Sequence, residues 1–171
     1  MEYIYLGKIV NTHGIRGEVR ILSDFRYKKR IFVPGMSIYI GKMKEKEVIA
    51  SYRVHKNFDM ITMKGYTNIN EVLKYKGLSV YFSRQDLSLA KDEFLDEDLI
   101  GMDVLFRGEV MGQVERILSG KQSQLLVKNG DKYYYIPYVL GVVSRIDQRQ
   151  GIILEDIDGL FDFSCYQEKE R

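Results

Sequence analysis

The 171-residue sequence has a single cysteine, Cys165, and only two histidines, His13 and His55. One cysteine cannot form an intramolecular disulfide, and these three side chains are fewer than the four ligands of a typical structural zinc site. We therefore expect a reducing compartment and no zinc. A hydrolytic triad is not indicated either, because the cysteine and the two histidines lie in opposite halves of the chain.

Long apolar runs and a basic leader are also missing. No apolar stretch approaches the roughly 20 residues that a membrane helix requires. The N-terminus reads Met-Glu-Tyr, without a basic segment ahead of an apolar one. The sequence therefore predicts a cytoplasmic protein that does not contact a membrane.

Charge is nearly balanced over the whole chain, at +2, but it is unevenly distributed. Residues 1–90 carry 16 Lys and Arg against 8 Asp and Glu, a net +8, whereas residues 91–171 carry 10 against 16, a net −6. One half should attract polyanions and the other should repel them. A particle made of RNA and basic protein would suit both halves, although an incidental gradient on a soluble surface explains the charges equally well.

Short strands separated by turns fill the first half. Runs rich in Ile, Val and Tyr occur at 3–10, 18–22, 37–41, 48–54, 60–64 and 78–82. Six short strands in about 80 residues favour an antiparallel barrel. One short helix is predicted before the last strand, where Asn68 and Glu71 form a capping-box pattern and Gly77 is a stop signal. The positions expected to face the barrel are Ile69, Val72, Leu73 and either Tyr75 or Lys76.

The strand pattern weakens from 83 to 98, where an acidic cluster at 92–98 indicates a linker between domains. Six further strands are predicted at 102–106, 109–118, 124–128, 132–136, 142–147 and 152–155, with a tight hairpin at Asn129-Gly130. We therefore expect an all-β protein made of two small antiparallel β-barrels. The expected domains are 1–90 and 98–171, with the linker at 91–97 and a short frayed or helical tail from 163.

Two segments resemble nucleotide-binding motifs, but neither meets the requirements. Gly120-Lys121 lacks the following Ser or Thr and the upstream glycine of a phosphate loop. The segment from Gly14 to Gly17 precedes a strand, whereas a dinucleotide-binding loop precedes a helix. We expect no cofactor, no metal and no catalytic activity. An enzyme of the translation-factor barrel type stays open as an alternative, and it would need a nucleotide or a cofactor.

Two segments carry side chains suited to binding. The loop that begins at His13 combines two glycines, which allow a sharp backbone path, with donors suited to phosphate or carboxylate. The basic segment at 26–30 suits a nucleic-acid backbone, and lysines at 42, 44 and 46 extend its charge. Its cationic residues are Arg26, Lys28, Lys29 and Arg30. The alternatives are a purely structural hairpin and a solvated run of charge.

Residues 7–20, Gly-Lys-Ile-Val-Asn-Thr-His-Gly-Ile-Arg-Gly-Glu-Val-Arg, resemble the first strand, the His-Gly-Ile-x-Gly-Glu loop and the second strand of the RimM family of ribosome maturation factors. The helix-containing region from 55 to 78 is similar to the same family. Segments at 98–104, 112–114, 136–138 and 142–147 resemble its C-terminal PRC-barrel domain. The resemblance spans nearly the whole chain and implies a six-stranded barrel like those of translation factors, followed by a PRC barrel.

The resemblance also implies a function, namely an accessory factor for maturation of the small (30S) ribosomal subunit. Such a factor binds the head of the subunit through ribosomal protein S nineteen and assists folding and processing of 16S rRNA, and we expect a monomer. The partner contacts that it implies are His13, Gly14, Arg16, Gly17 and Arg20 in the first barrel and Phe94, Leu95, Asp98, Leu99 and Tyr138 in the second.

The family usually carries an aromatic pair where this chain has Phe94-Leu95, so Phe94 would have to anchor the interface through apolar burial alone. The alternative function is a stand-alone RNA-binding barrel protein that has no ribosomal protein partner.

Overall fold

A computed structural model describes residues 2–91 and 93–162 and the backbone of Cys165–Gln167. The chain divides into two compact units, Met1–Ser88 and Leu89–Arg171. Both consist mainly of β-strands, which confirms the predicted all-β class. Within the described residues, no helix is long and apolar enough to cross a bilayer. The same residues contain no group of three or more His, Cys, Asp and Glu side chains placed to hold a metal ion.

The first unit is a closed barrel of six strands. Their bounds are Tyr3–His13 (β1), Glu18–Leu22 (β2), Ser37–Ile40 (β3), Glu45–His55 (β4), Phe58–Met63 (β5) and Ser79–Ser83 (β6). They follow one another round the barrel in the order β1-β2-β5-β4-β3-β6, with antiparallel neighbours. Strand β1 runs three residues beyond the predicted end at residue 10, because its register with β2 shifts between Ile9 and Asn11 and pairing then resumes.

A short helix precedes β6, as predicted. Helix α2 (Ile69–Val72) continues as a 3-10 turn at Leu73–Tyr75. The Asn68 side chain accepts a backbone N–H of the first turn, and the Glu71 carboxylate accepts the Asn68 N–H at 3.1 Å, so the capping box is confirmed. Leu73 is 47% exposed, which corrects the expectation that it faces the barrel. The residues of this segment that are fully buried are Val72 and Tyr75.

A second short helix, α1 (Lys28–Ile31), lies within the basic segment and was not predicted. Ile31 and Phe32 are 0% and 1% exposed. The Phe32 ring also stacks on Tyr52, with 5.5 Å between the ring centroids. The buried side chains of Ile31 and Phe32, which directly follow the basic segment, therefore hold this segment against the barrel.

The second unit contains one short helix and a sheet of seven strands. Their bounds are Asp96–Leu99 (α3), Asp103–Phe106 (β7), Glu109–Leu118 (β8), Gln124–Asn129 (β9), Lys132–Pro137 (β10), Val143–Asp147 (β11), Gly151–Leu154 (β12) and Cys165–Gln167 (β13). The order is β11-β12-β7-β8-β9-β10-β13. Strands β7 and β12 pair in parallel, unlike the antiparallel pairing that we expected throughout; a parallel pair needs a long connection, and here the chain from β8 to β11 supplies it.

The predicted hairpin between β9 and β10 is present, but its two-residue loop lies one position later than the predicted Asn129-Gly130. Asn129 pairs with Lys132, so the loop consists of Gly130 and Asp131. Gly130 has a φ of 60°, as the first central residue of a type II′ turn requires. Of the predicted tail, residues 163, 164 and 168–171 lie outside the described part of the chain, and the backbone of 165–167 pairs with β10.

Helix α3 occupies the end of the segment that we expected to be a linker. Its first turn is capped by Asp98, whose carboxylate accepts the Leu95 N–H at 3.2 Å. The core of the second unit begins here and continues through the sheet. Its buried residues are Phe94, Leu99, Val104, Val114, Leu125, Val127, Tyr134, Ile136, Ile152 and Leu154.

Candidate functional site

The loop between β1 and β2 is held in one shape by contacts with the start of α2. Gly14 and Gly17 have φ values of 65° and 80°, in the left-handed region that favours glycine. A Cβ on Gly17 would lie 3.0 Å from the Asn68 carbonyl oxygen. The Ile15 carbonyl accepts the Ile69 N–H at 3.0 Å, while the Ile15 side chain is 84% exposed. The loop is therefore rigid at its base and exposed at its tip.

Four strands bring His13, Arg20, His55 and Phe58 together beside this loop, and we call them the histidine cluster. Arg20 Nη2 donates to His13 Nδ1 at 2.8 Å, and the two imidazole rings stack with 6.1 Å between centroids and 27° between planes. A guanidinium can only donate, so His13 Nδ1 is unprotonated and the ring proton lies on Nε2. The Arg20 guanidinium also lies 5.8 Å from the centroid of the Phe58 ring.

The Arg20 side chain is only partly satisfied. Its Nε atom is buried and has no hydrogen-bond partner among the described residues. Burying an unpaired N–H costs roughly 1–3 kcal/mol, more if the group is charged. His13 and Arg20, both of which were predicted to bind a partner, thus lie in direct contact with each other. The exposed Arg16 lies in the loop between them.

An ion pair neutralises the acidic residue nearest to the cluster. Arg53 Nε and Nη2 donate to the two carboxylate oxygens of Glu18 at 3.0 and 2.5 Å. The hydrogen bonds with Glu18 raise the pKa of the Arg53 guanidinium. Because Glu18 is bound in this way, its charge does not offset that of Arg20.

The basic segment divides into one buried contact and several exposed cations. Lys28 Nζ donates to Asp59 Oδ2 at 2.7 Å and to the Ser23 carbonyl at 2.8 Å. Asp59 is fully buried and also accepts the Tyr52 hydroxyl at 2.8 Å. Burial and this hydrogen bond raise the pKa of Tyr52 to about 12. Lys28 therefore satisfies a buried carboxylate, which corrects the expectation that it faces RNA.

The other members of the basic segment are exposed. Arg30 lies over the Tyr27 ring at 5.0 Å and donates to the Ser88 carbonyl at 3.2 Å. Arg26 and Lys29 lie on the surface of the unit. These three side chains are more exposed than that of Lys28.

The predicted contact residues of the second unit are largely internal. Phe94, Leu95 and Leu99 are 3%, 2% and 0% exposed, and Asp98 caps α3. Tyr138 is partly buried against the core of the unit. A side chain that already packs inside its own unit offers little surface to a partner, so the expectation that Phe94 anchors an interface is corrected. The exposed neighbours are Asp96, Glu97 and Ile100.

Sequence reasoning missed a second surface of the first unit, which we call the tyrosine surface. It comprises Tyr3, Tyr5, Tyr81 and Lys44, with Tyr39, which is only 7% exposed, packed against Tyr3 at 4.7 Å between ring centroids. Strand register places Tyr81 opposite both Tyr5 and Tyr39, and the Lys44 ammonium lies 2.9 Å from the centroid of the Tyr81 ring. Tyr5 is 46% exposed. The alternation of Tyr at 3 and 5 indicated a shared face, but only the pairing of β1, β3 and β6 brings the four rings together.

The second unit also has an open pocket of about 370 Å³. It is lined by residues 100–103, Gln113 and residues 148–151. Gln113 Nε2 donates to Asp103 Oδ1 at 3.0 Å. Hydrogen bonds from the backbone N–H groups of Arg149 and Gln150 lower the pKa of Asp147 at the rim. The pocket is polar and adjoins the exposed Ile100.

Comparison with known proteins gives a consistent set of matches. The sequence profile described as the RimM N-terminal domain matches residues 4–87. "Ribosome maturation factor RimM" of Halalkalibacterium halodurans is 36% identical, with 94% of this chain and 99% of the relative aligned. The protein of the same name from Oceanobacillus iheyensis is 39% identical, with 92% and 96% aligned.

Among solved structures, RimM of Pseudomonas aeruginosa is 22% identical and gives a TM-score of 0.46, covering 95% of this chain and 100% of that one. The two sequence relatives are matched over almost their whole length, and alignments that cover 94% and 92% of the present chain extend over both of its units.

Proposed function

The chain belongs to the RimM family of ribosome maturation factors, and on that premise we propose that it is an accessory factor for maturation of the small (30S) ribosomal subunit. The observation that carries the proposal is the match at 36% identity over 99% of the length of a relative with that name. In this proposal the protein acts in the cytoplasm by binding rather than by catalysis, and it assists folding and processing of 16S rRNA.

The first unit is the proposed RNA-binding part. Its net charge of +8 favours association with a polyanion. The histidine cluster and the exposed Arg16 present donors beside a rigid loop, and the exposed Arg26 and Lys29 extend the positive surface. Phosphate contacts of this kind position a protein on RNA without reading its sequence.

The second unit is the proposed protein-binding part. Its net charge of −6 suits a basic partner, and we propose ribosomal protein S nineteen in the head of the subunit. Asp96 and Glu97 are exposed on α3, and Ile100, which is 50% exposed, follows directly. This acidic and apolar patch is the proposed contact.

Co-sedimentation with purified small subunits at low and high salt tests the proposal. We expect the full-length protein to comigrate at low salt and to be partly released at high salt, because both surfaces act through charge. Glu97→Lys should weaken comigration. Asp131→Lys, at the exposed hairpin of the same unit, makes the same change of charge and should leave comigration intact. Failure of the wild-type protein to comigrate under either condition would contradict the proposal.

The tyrosine surface favours a second candidate, a stand-alone RNA-binding barrel. Aromatic rings with adjacent lysines can stack bases and contact phosphates without any protein partner. The affinity of the full chain for naked RNA and for isolated ribosomal protein S nineteen distinguishes the candidates. Tight binding to RNA together with undetectable binding to the ribosomal protein would favour the stand-alone function.

A further inference from the structure

The histidine cluster has donors that the fold itself does not use. His13 Nδ1 accepts a hydrogen bond from Arg20 Nη2, which leaves the Nε2 N–H of His13 to donate. His55 adds a second imidazole at 6.1 Å. We propose that this cluster binds a phosphodiester group of RNA and that protons are taken up when the phosphate binds.

Strand pairing and ring contacts fix the positions of the side chains in the cluster. His13 and Arg20 lie on the two strands of one hairpin, and His55 and Phe58 lie on the two strands of another. The Phe58 ring supports the Arg20 guanidinium at 5.8 Å, which leaves the guanidinium edge to donate. The planar guanidinium of arginine is suited to the paired oxygens of a phosphate.

The charged groups around the cluster leave an excess of positive charge. Glu18 of β2 is paired with Arg53 of β4. Asp59 of β5 is paired with Lys28. Glu71 of α2, which packs against β1 and β2, accepts the backbone N–H groups of Thr67 and Asn68. The cations nearby in the chain that these carboxylates do not bind are Arg16, Arg20 and Lys56.

Proton uptake follows from the hydrogen bond between His13 and Arg20. A protonated His13 cannot accept from Arg20, and two adjacent cations repel each other unless an anion lies against both. A phosphate supplies that anion and accepts from His13, His55 and Arg20 together. Binding and protonation therefore favour each other, and the coupling is reciprocal. Histidine is the side chain that changes charge between pH 5 and 8, so RNA affinity should rise as the pH falls through that range.

This inference rests on the proposed function, because it takes RNA as the ligand of the first unit. The probe is a labelled single-stranded RNA of about 16 nucleotides, the upper site size of a small nucleic-acid-binding barrel. It carries hydroxyl groups at both ends, since a terminal phosphate titrates near pH 6 and would obscure the result. Fluorescence anisotropy with the full chain measures the affinity at about pH 6 and pH 8.

We expect the wild-type protein to bind this RNA about ten-fold more tightly at the lower pH, as one added charge-assisted hydrogen bond would produce. Titration calorimetry in buffers of different ionisation enthalpy should show net proton uptake. His13→Gln keeps an acceptor for Arg20 but cannot take a proton, and His55→Gln removes the second imidazole. Each variant should lose most of the pH dependence, whatever its affinity at the higher pH, because glutamine cannot take up a proton in this range.

Lys64→Gln is the matched control, because Lys64 is exposed on the same unit and lies outside the cluster. It should leave the pH dependence unchanged. Melting curves show whether each variant folds, and His55→Gln carries the test if His13→Gln does not fold. Equal wild-type affinity at both pH values, or full pH dependence in the folded histidine variants, overturns the inference.

Co-sedimentation separates this inference from the proposed function. If small subunits bind the protein but the RNA probe shows no pH-linked binding, or no binding at all, only the inference fails. Absence of small-subunit binding overturns the proposed function, whatever the probe shows.

Discussion

Replacing Lys28 with methionine should destabilise the first unit by about 2–4 kcal/mol. Lys28 donates to Asp59, whose side chain is 1% exposed, and to the Ser23 carbonyl. Removing one member of a buried ion pair costs roughly 3–5 kcal/mol, because the other charge stays buried without its partner. We expect a loss at or somewhat below the lower end of that range, since the Lys28 side chain is 27% exposed and water can replace part of the interaction.

Urea unfolding of the full chain, followed by circular dichroism, measures this loss, and amide hydrogen exchange in β4 and β5 localises it. The double variant Lys28→Met/Asp59→Asn leaves no buried charge, so it should be more stable than Lys28→Met alone. Lys29→Met, one residue along α1, is the matched control. It removes an exposed ammonium and should cost less than about 0.5 kcal/mol.

Two results would refute this reasoning. One is an unfolding midpoint of Lys28→Met equal to that of Lys29→Met, which would show that the Asp59 carboxylate does not need the ammonium. The other is a double variant as unstable as the sum of the single changes, which would show that the two side chains do not act as a pair. The expected result assigns Lys28 to stability and leaves Lys29 for the proposed contact with RNA.

Two further predictions concern the first unit. Tyr52 has a pKa of about 12 in the folded protein against 10.0 ordinarily, so the unfolded chain loses this proton first and stability falls as the pH rises from about 10 to 12. Alkaline unfolding curves should show about 1–2 kcal/mol more loss in wild type than in Tyr52→Phe, after allowance for partial exposure. Gly14→Ala and Gly17→Ala both place a Cβ at positive φ, but only the second brings it 3.0 Å from the Asn68 carbonyl. Thermal melting should therefore show Gly17→Ala to be less stable by about 1 kcal/mol, and equal melting temperatures would mean that the loop moves away easily.

Two strands were predicted to the residue, whereas the start of a strand that depends on distant contacts was not. The predicted bounds of β2 and β8 agree with the structure. Strand β4 begins at Glu45, three residues earlier than predicted, within a segment that reads as charged turn. Glu45 and Glu47 are ordered there by the buried Tyr75 hydroxyl, which lies 2.8 and 2.6 Å from their carboxylates. Burial and these hydrogen bonds raise the pKa of Tyr75. Because the tyrosine lies about 30 residues away, local pattern could not indicate this contact.

The loop of the candidate site was predictable from the sequence, but the residues from other strands that complete the site were not. The glycines and donors of residues 13–20 are adjacent in the chain, so their conjunction is visible in the sequence. His55 and Phe58 reach the same place only through the pairing of β4 with β5 and β5 with β2. Phe94 was expected at an interface but is buried in its own unit. An apolar residue beside an acidic segment has the same sequence pattern whether it packs inside its unit or contacts a partner.

Lys28 does not belong to the proposed RNA surface, but this does not change the difference in net charge between the two units. Every ion pair within a unit removes one charge of each sign, so it changes which groups act on a ligand but not the net charge. In the described part of the first unit these pairs include Lys28–Asp59, Arg53–Glu18, Lys74–Glu45 and Arg84–Glu2. The net +8 is thus carried by a smaller set of cations, including Arg16 and Lys29. Long-range attraction to RNA depends on the net charge, whereas the contacts depend on that smaller set. Substitutions within an ion pair should therefore change stability, and those outside the pairs should change the dependence of RNA binding on salt.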